Sequence, residues 1–233
     1  MVKKAVCLVS GGIDSAVTVF IAKEKGYMLC CLSFDYGQRH KKELNSAKKI
    51  AESVKAVEHV IVNLDLSQFG GSSLLDKSKD LPIDSKIDDI GKTIPSTYVP
   101  ARNTVFLSIA LAYAETIDAD AVFIGATATD YSGYPDCRPE YIEAFQNLVD
   151  VATKKSVEGG GIKINAPLLH MSKAEIIKKG LRLGVPFEKT WSCYKGEKRA
   201  CGRCDSCLLS LKGFKEASFS DPIKYVNSRK KIW

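Results

Sequence analysis

The chain has 233 residues, of which 45% are hydrophobic and 26% charged, and 34 basic against 27 acidic side chains leave a net charge of +7. That length and balance suit one α/β domain with a sizeable core and exclude disulfide-stapled miniproteins, disordered chains and fibres. The longest apolar stretch, around Phe106–Ala114, falls far short of the roughly 20 residues that span a bilayer, so no membrane partner is expected.

The apolar run after Met1-Val2-Lys3-Lys4 stops at Val9 and gives way to Ser-Gly-Gly, which is not the core of a signal peptide. A cytoplasmic protein is expected. The positive surplus suits an anionic partner such as a nucleotide or RNA and decides nothing about fold. Four of the basic residues lie between Lys224 and Lys231, where a solvated end is an equally good account.

Apolar, β-rich runs alternate with helical patterns, which predicts a parallel sheet covered on both faces. Residues 5–9 read as a buried strand and 15–25 as the helix after it. A second strand over 27–34, an amphipathic helix over 41–54 and a third strand over 57–63 follow. The stretch 64–100 carries Gly70-Gly71, Pro82, Pro95 and Pro100, and is too long for a plain connection. It is expected to be functional or partly mobile. Residues 103–116 read as helix, 121–125 as a fourth strand, 139 to about 155 as helix and 162–165 as a fifth strand. Ser172 can cap a helix over 172–183 with Glu175 at the capping-box position. Beyond Pro186 the composition turns to Cys, Lys and Gly. The expected organisation is therefore an α/β domain over 1–185 and a small lobe over 186–233.

Four of the eight cysteines crowd into the final lobe as Cys193, Cys201, Cys204 and Cys207. In a chain without export signals this clustering argues for a metal rather than disulfides. The C-x7-C-x2-C-x2-C spacing lets neighbouring thiolates turn onto one ion, with Gly202 easing the knuckle. One structural Zn²⁺ is the expected occupant, with an iron–sulfur cluster as the rival. Four thiolates and Zn²⁺ leave a local charge of −2, which Lys195, Lys198, Arg199 and Arg203 can offset.

The first strand runs into Ser10-Gly11-Gly12-Ile13-Asp14-Ser15, and a helix follows at once. Glycines let the backbone turn tightly and approach an anion, and the free N–H groups of the helix start favour phosphate. A plain strand-to-helix turn uses glycines too. The spacing and the missing Lys exclude a Walker A loop. Asp14 is the natural partner for Mg²⁺ near phosphates, since hard cations take oxygen ligands.

Three further stretches are unusually polar and aromatic: 34–40 after the second strand, 98–103 before a buried helix, and 130–138 after the fourth strand. All fall where open α/β sheets bind ligands. Tyr36 and Tyr131 suit stacking on a heteroaromatic ring; Asp35, Gln38 and Asp136 suit pairing with its edges. Arg39, Arg102 and Arg138 suit bidentate grip of phosphate or carboxylate.

The Ser-Gly-Gly-x-Asp-Ser loop resembles the PP-loop of ATP pyrophosphatases. Together with the three polar stretches and the Cys-Gly-x-Cys-Asp-Ser-Cys ending, it resembles the QueC family from Leu8 to Phe214. The resemblance implies a PP-loop, Rossmann-like α/β fold with a five-stranded parallel sheet and a small zinc lobe. It extends the nucleotide segment over Leu8, Val9, Ser10, Gly11, Gly12, Ile13, Asp14, Ser15, Ala16, Val17 and Thr18, and implies catalytic roles for Asp14, Ser15, Arg102 and Asp130. It further implies a ligase that uses Mg²⁺ with ATP and free ammonia to turn 7-carboxy-7-deazaguanine into its nitrile. A homodimer without direct nucleic-acid contact is the family expectation, on the way to queuosine or archaeosine.

A carboxylate is a poor electrophile, so ATP must first convert it to an acyl adenylate; ammonia then gives an amide, and a second activation gives the nitrile. Two ATP per nitrile are expected, with no covalent nucleophile. The rivals are a tRNA-modifying PP-loop enzyme of thiolase or lysidine synthase type, and a zinc-ribbon protein that binds nucleic acid.

Overall fold

The computed structural model describes residues 2–128 and 133–226. In chain order it forms β1 (Lys4–Leu8), α1 (Ile13–Glu24), β2 (Met28–Asp35), α2 (Lys42–Val54), β3 (Glu58–Asn63), α3 (Arg102–Thr116), β4 (Ala121–Phe123), α4 (Pro139–Ala152), α5 (Lys154–Val157), β5 (Lys163–Asn165), α6 (Lys173–Arg182) and α7 (Asp205–Glu216). The five strands pair in parallel in the order β3-β2-β1-β4-β5. The expected α/β class and five-stranded parallel sheet are both present.

β1 is apolar throughout because it lies at the centre of a sheet covered on both faces. Ala5, Cys7 and Val9 face one core, shared with α1, α2, α6 and the aromatic pair Phe187 and Phe214. Val6 and Leu8 face the other, under Leu107 and Ala110 of α3 and Ile142, Phe145 and Val149 of α4. Because β2 lies on one side of β1 and β4 on the other, the chain reverses its direction of sheet growth between β1 and β4. Their carboxyl ends diverge into a crevice there. Among the described residues no helix is long and apolar enough to cross a membrane.

Two local differences from the sequence reading, at the end of α4 and in the cysteine-rich segment, have clear causes. The helix expected to run to about residue 155 stops at Ala152, because Thr153 turns extended and its hydroxyl accepts the Ser156 N–H at 3.2 Å, opening the single turn α5. Residues 64–100 are anchored along much of their length. The Arg39 guanidinium donates to the carbonyls of Ser73 at 2.6 Å and Asp76 at 2.7 Å, and Leu75 and Val99 enter the second core. The cysteine-rich segment also contains α7, whose apolar positions are hard to see among cysteines, lysines and serines.

Phe214 of α7 is 1% exposed and meets Phe187 edge-on at 5.4 Å, beside core residues of α1 and α6. Phe214→Ala should therefore destabilise the whole molecule by about 3–5 kcal/mol. Sheet ellipticity and tryptophan emission from the lobe should melt together; an early, separate lobe transition would show two independent cores.

Candidate active site and cysteine cluster

The crevice between β1 and β4 holds a cavity of about 290 Å³. Leu8, Val9 and Ser10 line it from the end of β1, and Gly12, Ile13, Asp14 and Ser15 from the start of α1. Gly11, Ala16, Val17 and Thr18 do not line it. Ala16, Val17 and Thr18 are fully buried behind the loop.

The loop's two glycines have different jobs. Gly11 has φ +88°, and a Cβ there would lie 2.3 Å from the Glu43 carbonyl oxygen and 2.7 Å from the Ala47 nitrogen. It is glycine so that α2 can pack onto the loop. Gly12, the N-cap of α1, faces the cavity, and no side chain caps the helix. The first turn of α1 thus opens toward a ligand with its amide groups, an arrangement suited to an anion. Ser10 and Ser15 clasp the loop from within: the Ser15 hydroxyl donates to the Gly12 carbonyl at 3.1 Å and accepts the Ser10 N–H at 3.2 Å.

Asp14 reaches into the cavity and accepts two hydrogen bonds from the Lys173 ammonium, at 2.6 and 2.8 Å. Lys173 is the first residue of α6, where a cation opposes the helix dipole. That misplaced charge was the one sequence signal for it. Gly125, after β4, is a second missed residue: a Cβ there would sit 3.0 Å from the backbone of Asp14 and Ser15.

Arg102 lines the cavity from the first turn of α3, which follows Ala101 in the left-handed region at φ +52°. The guanidinium donates to the Tyr36 hydroxyl at 3.4 Å. Tyr36 and Gln38 also line the cavity. Yet Gln38 accepts the Tyr36 N–H at 2.7 Å, and so closes its own turn. Arg39, Asp136 and Arg138 are not part of the described lining. Arg39 is spent on the 64–100 segment, and Asp136 accepts the Asn103 N–H at 2.9 Å at the start of α3. Arg138 serves as the N-cap position of α4. Asp130 and Tyr131 lie outside the described residues.

Glu43, unflagged by the sequence, faces the same cavity from the first turn of α2. Burial pushes its carboxyl up to about 7, against the opposing pull of the Arg102 guanidinium. Cys137, also in the lining, is pushed up to about 11 by burial and by the neighbouring Asp136 carboxylate. It is a thiol at neutral pH, not a nucleophilic thiolate.

The remaining wall comes from the cysteine lobe. Trp191 and Ser192 line the cavity, and the Trp191 N–H donates to the Gly11 carbonyl at 2.8 Å. Lys42 clamps the lobe from α2, its ammonium 3.3 Å above the Trp191 ring. His40 packs against Gly196 and hydrogen-bonds the Cys193 carbonyl at 3.0 Å. Behind this wall, Cys193, Cys201, Cys204 and Cys207 are all buried with their sulfurs within 4.8 Å of one another. A tetrahedron with bonds of ~2.3 Å has edges of about 3.8 Å, and Cys201 and Cys207 already stand 3.9 Å apart. Backbone N–H groups of Arg203 and Cys204 point at Cys201 Sγ, at 3.4 and 3.3 Å. The four residues can hold a metal. The Arg203 side chain, expected to offset the thiolate charge, instead pairs with Asp84 of the 64–100 segment.

Fold and site together define an α/β protein with a glycine loop suited to an anion at its sheet reversal and a four-cysteine cluster able to hold a metal beside the cleft. The comparisons name the family. The family model described as "Queuosine biosynthesis protein QueC" matches residues 4–218, and the chain belongs to that family. A "7-cyano-7-deazaguanine synthase" of Coxiella burnetii (strain RSA 331 / Henzerling II) is 56% identical over 228 residues, covering 96% of this chain and 98% of the relative. One of Geotalea uraniireducens (strain Rf4) is 54% identical over 233 residues, covering 99% and 100%. Among solved structures, an NMN synthetase from Francisella tularensis overlays with TM-score 0.47 at 18% identity, over 85% of this chain and 67% of that one.

Two outcomes follow from the site. A carboxyl whose native pKa lies above its unfolded value loses stability as pH rises from about 4.5 to about 7. Glu43→Gln should therefore gain on the wild type over that window, by at most about 3 kcal/mol at pH 8, as read from melting temperatures between pH 5 and 8. Cys204→Ser should lose bound metal and unfold or aggregate, because structural metal affinity is folding energy. A folded, metal-free, active variant would exclude a structural centre.

Proposed function

We propose that the protein is a 7-cyano-7-deazaguanine synthase: an ATP-dependent ligase that converts 7-carboxy-7-deazaguanine and ammonia to 7-cyano-7-deazaguanine through an adenylated carboxylate and an amide. The observation that carries this reading beyond the family assignment is the uncapped start of α1, which opens into a cavity lined by Lys173 and Arg102. Adenylation leaves pyrophosphate, an anion of high charge. The amide groups of Gly12 to Ser15 would bind it, and the two cations would spread the charge that develops as it departs.

Asp14 holds Lys173 in place and keeps 30% of its side chain exposed, so its remaining lone pairs face the cavity. It is the residue to hold Mg²⁺, which typically reaches a protein through one or two carboxylates and the nucleotide phosphates. Bound there, Mg²⁺ would neutralise phosphate charge. Ser15 acts by shaping the loop. Tyr36 forms the cavity wall with Phe106, whose ring it meets edge-on at 5.4 Å.

The four cysteines suit one structural Zn²⁺: thiolate donors, a closed buried site and tetrahedral spacing. Zinc there would hold Trp191 and Ser192 against the phosphate loop. The lobe, 186–233, and the ATP domain, 1–185, then form the two walls of one cleft. A buried thiol at Cys137 and cysteines gathered for metal favour this ligase over a thiolase-type tRNA enzyme, which needs a reactive thiol. The reading includes a cytoplasmic homodimer, checked by sedimentation.

The decisive assay incubates the protein with 7-carboxy-7-deazaguanine, Mg·ATP and ammonium and follows nitrile mass and pyrophosphate together. Asp14→Ala should lower turnover by at least 10²-fold, and Lys173→Met by a comparable factor, since losing a charge-stabilising donor costs about that much. Full activity in either variant would remove the phosphate-site assignment. No nitrile from folded, zinc-loaded wild type would shift the reading to an RNA substrate.

A further inference from the structure

A second, smaller cavity of about 160 Å³ adjoins the first. Tyr134 and Tyr194 line both, so they form a shared wall. The small cavity is closed by Thr93 and Thr97 of the 64–100 segment, by Gly133, and by Asp205 at the start of α7. Gly133 is pressed against this segment: a Cβ there would lie 2.7 Å from the Thr93 carbonyl oxygen. The next residue of α7, Ser206, lines the large cavity instead.

Asp205 is 8% exposed, and its Oδ1 is buried without any hydrogen-bond partner. A buried carboxylate oxygen left unpaired costs free energy, and native proteins rarely keep one without a use. The carboxylates that the sequence offered for reading a heterocycle are engaged elsewhere. Asp35 pairs with Lys41 at 2.6 Å, and Asp136 accepts from Asn103. The other carboxylate at the small cavity, Asp89, pairs with Lys92 at 2.8 Å. At the small cavity, Asp205 is the carboxylate with a buried oxygen that has no hydrogen-bond partner among the described residues. It stands in the first turn of α7, between Cys204 and Cys207 of the cysteine cluster.

We propose that the small cavity is the recognition pocket for the deazaguanine, and that Asp205 accepts hydrogen bonds from its N1–H and 2-amino group. This rests on the synthase reading above. An ionised carboxylate offers two acceptors side by side and no donor, which matches the adjacent donors of a 2-amino-4-oxopyrimidine. Tyr134 and Tyr194 supply the aromatic walls. The recognised edge belongs to the six-membered ring and the reacting carbon is carried by the five-membered ring. Seating the first in the small cavity therefore directs the second across the shared wall toward Asp14 and the start of α1. The metal centre acquires a second job, since it fixes the carboxylate that selects the substrate.

The test compares 7-carboxy-7-deazaguanine with the analogue lacking the 2-amino group, by calorimetry and by turnover, on zinc-loaded protein. Wild type should bind the analogue about 100-fold more weakly, the loss of a charge-assisted bond leaving a buried acceptor unpaired. Asp205→Asn should weaken the natural substrate by a similar factor and reduce the discrimination to a few-fold. KM for ATP and for ammonium, zinc content and melting temperature should stay at wild-type values. Equal binding of the two compounds by wild type, or retained discrimination in Asp205→Asn, overturns the proposal. So does a rise confined to KM for ammonium, which would make Asp205 an ammonium site. If Asp205→Asn fails to fold, a crystal structure of wild type with the substrate decides, and a heterocycle seated away from Asp205 refutes the assignment. Absence of nitrile formation by wild type would instead reject the synthase reading, with the calorimetric comparison still readable.

Discussion

The cleft depends on what happens at Gly11. Its carbonyl accepts the Trp191 N–H, and its missing Cβ lets the Glu43 carbonyl and the Ala47 nitrogen of α2 come close enough that any side chain would collide. The loop after β1, the helix after β2 and the cysteine lobe are therefore joined through one residue. A backbone hydrogen bond contributes about 1 kcal/mol in isolation, so its importance lies in geometry. It brings Trp191 and Ser192 over Gly12, and adds a wall to the crevice between β1 and β4. His40 and Lys42, which grip the lobe beside Cys193 and Trp191, hold the same junction from its outer side.

Charge is arranged around this junction with little redundancy. Lys173 sits at the unfavourable end of α6, and Asp14 offsets that placement. A largely buried ion pair of this kind contributes little net stability, since desolvation consumes much of the attraction. What it supplies is a cation at a fixed place beside the opening of α1. Glu43 shows the opposite behaviour: burial holds a proton on it near neutral pH, despite Arg102 across the cavity. The same cavity therefore contains a carboxylate held by a lysine, Asp14, and one raised toward neutrality by burial, Glu43.

The aromatic and polar stretches that looked like ligand contacts divide into two groups for a reason a linear reading misses. Side chains able to grip a ligand are equally able to grip backbone, and loops need such anchors because their own amides lack regular partners. Gln38, Arg39 and Asp136 are used in this way, and of the three only Gln38 also lines the described cleft. Tyr36 and Arg102 do line the cavity, with Tyr36 also packed against Phe106. The lining is completed by residues drawn from distant segments: Lys173, Gly125, Trp191, Ser192 and Tyr134.

The sequence by itself determined the element types, the parallel sheet, the glycine turn after the first strand and the four-cysteine cluster. Each is a local matter: an apolar run of strand length, a glycine turn before a helix, thiols two residues apart. The break at Thr153 and the helix α7 escaped it. In the first, a hydroxyl ended the helix where apolar periodicity continued; in the second, cysteines and polar residues obscured the apolar positions. Only the tertiary structure decided that the lobe forms a wall of the cleft, that Asp14 faces a lysine 159 residues later in the chain, and that Asp205 opens onto a second cavity. Those facts depend on which surfaces meet after the sheet closes, and such contacts leave no periodicity in the sequence. Polar groups commit to partners only when packing brings them together, so a motif can name its candidates while the fold selects among them.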